Sequence, residues 1–175
     1  KADDKRGDIY VVRVETRSLN KLAPEVRLAA TSGHSRSPEL VPGPSGSVWA
    51  SWVEEPMEQD AGGSVRFAVL DDRGSTTMTS KVAGDEKHVV VSAALACGDK
   101  GCHVVVGRSA GDALLVEALE LSAAGQPGAS KTLVTLPGVG TTDISPGCSD
   151  KTASSLFFAA DELGRPDADD RKRTS

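Results

Sequence analysis

Residues 46–55 read GSVWASWVEE, 65–74 read VRFAVLDDRG and 76–83 read TTMTSKVA. The same three pieces return further along as GCHVVVGRSA (101–110), VEALELSAAG (116–125) and KTLVTLPG (131–138). A partial copy precedes them, DIYVVRVETRS (8–18) with PEVRLAA (24–30), and another follows, DKTASSLFFAADE (150–162). A period of roughly fifty residues made of short strands is what a radial all-β repeat produces. Trp52, Val105 and Phe158 recur at intervals of 53 in the middle of a second strand. Gly74 and Gly125 close the same turn after a third strand, and Leu28, Val82 and Val134 recur in a fourth. The period argues for a fold and names no reaction.

Strand candidates are 9–15, 25–29, 38–41, 48–54, 65–71, 77–83, 88–94, 103–107, 114–121, 131–136, 141–145 and 155–160. Between them lie turn signals such as GPSGS, DDRG, AGDE, CGDKG, AAGQPGAS and SPGCSD. Short runs broken at this density by Gly, Pro, Asp and Ser describe a sandwich, barrel or propeller. Two stretches are ambiguous. DALLVEALELSAAG (112–125) has Asp112 as a plausible N-cap, strong helix formers and a terminal glycine. Its register with VRFAVLDDRG makes it a strand, and HVVVSAALAC (88–97) is resolved the same way.

The 175 residues suffice for one domain with a core of its own. A net charge of -5 leaves no basic stripe, so nucleic acid is not expected as a partner. No run of about twenty apolar residues is present, so no membrane span is expected. The opening KADDKRGD is too charged for a signal-peptide core. Cys97 and Cys102 bracket the turn ACGDKGC (96–102), where a disulfide would clamp a tight strand connection in an oxidising compartment. A zinc site and free thiols are the alternatives. Cys148 then has no partner in the chain. The cysteines favour an extracytoplasmic location, secreted, periplasmic or at a cell surface, and neither a metal nor another cofactor is expected.

The first half resembles the repeat units of bacterial secreted β-propeller proteins. Those units run D-I-Y-x-x-R-V, a turn, an extended strand, S/N-P-x-V, a glycine turn and a strand ending V-x-W-x-D/E. Asp8, Ile9, Tyr10, Arg13, Val14, Pro38, Gly46, Trp52 and Glu54 match in order, well over 8–55, fairly to about 84 and weakly beyond 100. In the second unit Val65, Arg66 and Phe67 replace D-I-Y. The resemblance implies an incomplete β-propeller of about three four-stranded antiparallel blades. Its parts are a half blade 8–29, a blade 37–83, a blade 88–137, a half blade 141–162 and a charged tail 164–175, with 1–163 forming the blades. Three blades' worth of strands falls short of closure and leaves open edges. A second chain, a second copy, or polypeptide removed at Arg171–Arg173 is therefore expected to complete it.

Binding candidates are Trp49, Trp52, Tyr10, Glu55, Glu58 and Asp60. Trp49 and Trp52 lie three apart in a strand and so face opposite sides. One is expected in the core and the other partly exposed, packing on a neighbouring blade or stacking on a sugar. Tyr10 reads as a packed ring with its hydroxyl at the rim. Glu54, Glu55, Glu58, Asp60, Asp71 and Asp72 gather at strand ends, but no D-x-D-x-D-G loop accompanies them, and solubility explains them better than a hard cation. Arg6, Gly7 and Asp8 spell an adhesion tripeptide, although the repeat already accounts for Asp8.

No catalytic residue is assigned. None of His34, His88 and His103 sits beside a nucleophile elbow. GRSAG (107–111) has that spelling, yet Ser109 falls in a turn between strands instead of passing from strand into helix. The expected function is a non-catalytic recognition or assembly module. It would present loops, chiefly 54–63 and 123–130, to a protein or glycan partner. The alternatives are part of a propeller glycoside hydrolase or lyase completed by another segment, and a β-sandwich whose turns merely share a spacing.

Overall fold

The computed structural model describes residues 7–28, 33–57, 62–85, 88–98, 101–122, 124–137, 144–148 and 156–160, the last two stretches by backbone alone. The architecture is all-β. Sheet 1 pairs β1 (Tyr10–Val11) with β2 (Val26–Arg27). Sheet 2 runs β3 (His34–Pro42), β4 (Val48–Glu55), β5 (Ser64–Leu70), β6 (Thr76–Gly84) in that order. Sheet 3 repeats this plan with β7 (Val90–Gly98), β8 (Gly101–Ala110), β9 (Ala113–Leu121) and β10 (Pro127–Pro137). Sheet 4 pairs β11 (Ile144–Cys148) with β12 (Leu156–Ala160). Every pairing is antiparallel between strands adjacent in sequence. No closed ring of sheets forms among the described residues.

The sheets stack face to face in chain order. Ile9 and Leu28 of sheet 1 pack on Ala50, Trp52, Ala68 and Leu70 of sheet 2. The opposite face of sheet 2, with Trp49, Val65, Phe67 and Val82, packs on Leu95, Val104, Val106, Leu119 and Leu121 of sheet 3. The far face of sheet 3 carries Ala94, Val105, Leu114 and Val116, and β11 lies against β7 and β8. Trp49 and Phe67 meet edge to face, with ring centroids 4.9 Å apart, a geometry that adds to their area burial.

Burial on two faces explains why the helix-prone 112–125 segment is extended. Leu114 and Val116 point to one side of β9, and Leu119 and Leu121 to the other, all four buried. A helix would bury one stripe, whereas a strand between two layers buries both faces. Tertiary packing outweighs propensity here.

The ladders fix the correspondence between sheets 2 and 3. Val48 opposes Leu70 as Cys102 opposes Leu121, and Trp52 opposes Arg66 as Val106 opposes Glu117. Bulges skip Val82 in β6 and Leu133 in β10 at matching places. The turns match too: Asp71 N–H bonds Ser75 O and Gly74 N–H bonds Asp71 O, while Ser122 N–H bonds Gln126 O and Gly125 N–H bonds Ser122 O. Both glycines have positive φ, 84° and 72°, where a side chain is strained.

This register corrects three expectations, the first being that Val82 recurs at Val134, since the skipped residues Val82 and Leu133 correspond. Trp52 corresponds to Val106 and not Val105, because an odd shift moves a side chain to the other face of a strand; Val105 faces away from sheet 2. Phe158 pairs with Pro146 along the backbone, and its side chain lies outside the described residues. Segment 123–130 is not a broad loop, since β10 already starts at Pro127. Likewise the ladder of β1 is shorter than DIYVVRVETRS suggests, with only the isolated bridge Val14–Lys21 beyond it.

Candidate functional site

One end of sheets 2 and 3 carries a cluster of ion pairs. Arg36, at the start of β3, sits 2.6 Å from Glu55 Oε1 and donates to the carbonyls of Val90 (2.9 Å) and Val91 (3.2 Å). It thereby ties the first strand of sheet 2 to the first strand of sheet 3. Glu54 and Arg66, diagonal across β4 and β5, pair at 3.2 Å. In sheet 3 Arg108 bridges Glu117 and Asp85, the latter at 3.0 Å. Asp85 also accepts the backbone N–H of His88 and lies 2.8 Å from its Nδ1.

Between these groups opens a cleft of about 260 Å³ lined by Glu54, Arg66, Lys81 and Asp85, with Gly62 and Gly63 beside them. Ligand pockets for small molecules usually span about 300–1,000 Å³. The cleft therefore matches one polar group, such as a single sugar ring or a side chain. Lys81 has no ion-pair partner among the described residues, and it gives the cleft a cation for such a group. Gly63 lies beside Val90, where an added Cβ would come within 3.2 Å of the Val90 side chain. That close approach draws the strand ends together.

A second polar feature lies on the sheet edge. The Glu39 carboxylate accepts the backbone N–H of Leu95 at 2.5 Å, answering a donor on the free edge of β7. Burial pushes the Glu39 carboxyl above its ordinary value, against the lowering effect of that hydrogen bond.

The sequence candidates are distributed unevenly. Trp49 and Trp52 do face opposite sides of β4, but the partly exposed ring expected of one of them is not found. Both are buried, one against sheet 3 and the other against sheet 1. The physical reason is that β4 is an interior strand covered on both faces. Tyr10 is 57% exposed on β1. Glu55 is the carboxylate held by Arg36. Glu58 and Asp60 lie outside the described residues. Asp71 serves its own turn, its Oδ1 accepting the N–H groups of Arg73 and Ser75.

Cys97 and Cys102 form the disulfide, directly opposite each other at the β7–β8 connection, with Cα atoms 4.0 Å apart. Ser109 lies near the end of β8, in a hairpin leading to β9 through Gly111 and Asp112. His34 Nδ1 accepts the N–H of Gly7. No group of three or more His, Cys, Asp or Glu side chains suited to a metal ion occurs among the described residues. No described helix is long and apolar enough to cross a membrane.

Arg36, Arg66, Lys81, Asp85, Arg108 and Glu117 are not singled out by the sequence. Arg66 in V-R-F and Glu117 in V-E-A stand at matching places, and that alignment is the one available signal. Asp85 reaches Arg108, and Arg36 reaches Val90 and Val91, across separate elements, which no local pattern reveals. The fold and site together define an all-β protein of stacked, repeated antiparallel sheets with an ion-paired end. Comparison of the chain with protein-family models, with curated proteins and with solved structures finds no match.

Proposed function

We propose that this protein is a non-catalytic recognition or assembly module of the secreted β-propeller type, presenting strand-end loops to a protein or glycan partner. The observation that carries the reading is the cleft at the charged end. Its walls are set by strands buried on both faces, while Lys81 remains available beside the Glu54–Arg66 pair. Rigid sheets holding polar loops are the usual arrangement for recognition. The module is extracytoplasmic in this reading, supported by the Cys97–Cys102 disulfide, since such bonds persist mainly in oxidising compartments. The contact surface comprises Glu55 and Lys81 with Pro56, Gly62 and Gly63 at the described ends of the β4–β5 connection.

A binding screen tests this. The intact chain is immobilised and probed with purified polysaccharides and with peptide arrays, then the screen is repeated with Lys81→Glu and Glu55→Lys. Binding that either substitution lowers at least about tenfold supports recognition at this end. Release of oligosaccharide products from a polysaccharide would replace recognition by catalysis. Binding indifferent to both substitutions would remove the cleft from the account.

A further inference from the structure

We infer that the cleft at the end of sheet 2 takes a carboxylated sugar ring, a uronate unit of an acidic polysaccharide, whose carboxylate is held by Lys81 and Arg66. The inference rests on the recognition reading above and names the class of glycan.

Charge placement on the ladder is the first support. Arg66 on β5 stands directly opposite Lys81 on β6. Arg66 is two residues from Ala68, which packs toward sheet 1, so alternation turns both cations to that side. Like charges directly opposite each other on a sheet are destabilising. Glu54 answers only one of them, its Oε2 lying 3.2 Å from Arg66 Nε. That contact lacks hydrogen-bond geometry, and both atoms are buried without a hydrogen-bond partner among the described residues. Two cations thus share one carboxylate, and all three side chains line the cleft. A carboxylate entering between Lys81 and Arg66 relieves their repulsion and offers the guanidinium a paired acceptor.

The repeat supplies the second support. The matching ladder places of sheet 3 hold Arg108, Glu117 and Thr132, so nothing charged stands where Lys81 does. There the ion pair receives a third member from the β6–β7 connection, the Asp85 carboxylate on Arg108. Ser35 opposes Glu54 as Val90 opposes Arg108. Position 30 therefore corresponds to Asp85, and it is alanine, with no group to reach the pair. Sheet 3 completes its pair with a side chain of its own, whereas beside the pair in sheet 2 there is a cleft. Arg108, Glu117 and Asp85 carry one net negative charge, and Arg66, Lys81 and Glu54 one net positive charge. What the set in sheet 2 lacks is an anion.

The other wall selects among anions. Asp85 also lines the cleft, and with Glu54 it sets negative charge around the cation pair. A second anionic group on the ligand would meet these carboxylates, whereas hydroxyls beside a single carboxylate donate to them. One carboxylate flanked by ring hydroxyls is a uronate. An acidic peptide side chain has the carboxylate without the hydroxyls, and a sulfated sugar has too much charge. At about 260 Å³ the cleft is smaller than most small-molecule pockets, which suits one ring of a chain whose neighbours stay in water.

Calorimetric titration of the intact chain with oligogalacturonate and oligoalginate tests the inference. Methyl-esterified oligogalacturonate, heparin and polyglutamate are the comparison probes. At least one uronate oligomer is expected to bind, and to bind more weakly as salt rises. Esterification keeps the ring and removes the charge, and is expected to weaken binding at least about tenfold. Lys81→Gln is expected to weaken it by a similar factor, and Lys81→Arg to retain it. Lys81 is exposed and faces a like charge, so both variants should melt no lower than the wild type. Equal binding of the ester, tighter binding of heparin or polyglutamate, indifference to Lys81→Gln, or no binding of either uronate oligomer overturns the inference. The recognition reading fails separately. It survives if another polysaccharide or a peptide binds and Glu55→Lys weakens that binding, and it falls if no bound probe is sensitive to this end.

Discussion

Glu54 on β4 and Arg108 on β8 occupy the same place in successive sheets and carry opposite charges. Glu54 opposes Ser64 and pairs diagonally with Arg66, whereas Arg108 opposes Leu115 and pairs diagonally with Glu117. The repeat keeps the ion pair and exchanges its signs. An identity-based comparison scores two mismatches there, although the electrostatics is the same.

Exchanging the signs in sheet 2 is therefore expected to be tolerated. Glu54→Ala leaves the largely buried end of Arg66 unanswered and is expected to cost about 1–3 kcal/mol in chemical denaturation. Glu54→Arg with Arg66→Glu recovers most of that loss. The matching exchange in sheet 3, Arg108→Glu with Glu117→Arg, does not recover, because the carboxylate introduced at position 108 would face that of Asp85. Equal recovery in both sheets would contradict the role given to Asp85.

The two tryptophans make a second comparison. Trp49 Nε1 donates to Ser47 Oγ at 2.9 Å, while the buried Trp52 Nε1 has no partner among the described residues. Replacement by Phe removes volume at both sites, but only at position 49 does it also break a hydrogen bond, a contribution of about 0.5–1.5 kcal/mol. Trp49→Phe is expected to lower thermal stability more than Trp52→Phe. The reverse order would mean that cavity size, not the indole N–H, decides.

The strand pattern and the four-strand period were legible because turn residues punctuate the chain wherever a ladder ends. Register was not. The β4–β5 connection holds more residues than the β8–β9 connection, so the interval is 54 from Val48 to Cys102 but 51 from Leu70 to Leu121, and a single repeat length of 53 misplaces Val105. The burial of both tryptophans was hidden for a related reason: alternation tells which residues share a face, but not whether that face meets water or another sheet. The Cys97–Cys102 link was legible because a tight turn flanked by cysteines has few other geometries. Arg36 escaped notice because its carbonyl partners at Val90 and Val91 lie in another sheet.

Removal of the disulfide is expected to weaken the fold modestly. Cys97→Ala with Cys102→Ala opens a very short loop, for which the chain-entropy contribution stays below about 3 kcal/mol. Cys102 is buried facing sheet 2, so Ala is the better probe than Ser, whose hydroxyl would need a partner. The double variant and the reduced wild type should melt at similar temperatures. A much lower melting point for the variant alone would assign the loss to core packing and not to the cross-link.

Glu39 sets a pH dependence whose sign follows from its burial. Its carboxyl is raised above the ordinary 4.5 chiefly by desolvation, so the folded state holds the proton more tightly than the unfolded chain. The stability this group contributes is fully present below pH 4.5 and is lost as pH rises through the raised folded value. Glu39→Gln keeps an oxygen for the Leu95 N–H and removes the titration. The difference in unfolding free energy between wild type and variant should therefore move in favour of the variant as pH climbs from about 4 toward neutrality. A difference that stays flat, or moves toward the wild type, would show that the Leu95 hydrogen bond to the charged carboxylate outweighs its desolvation.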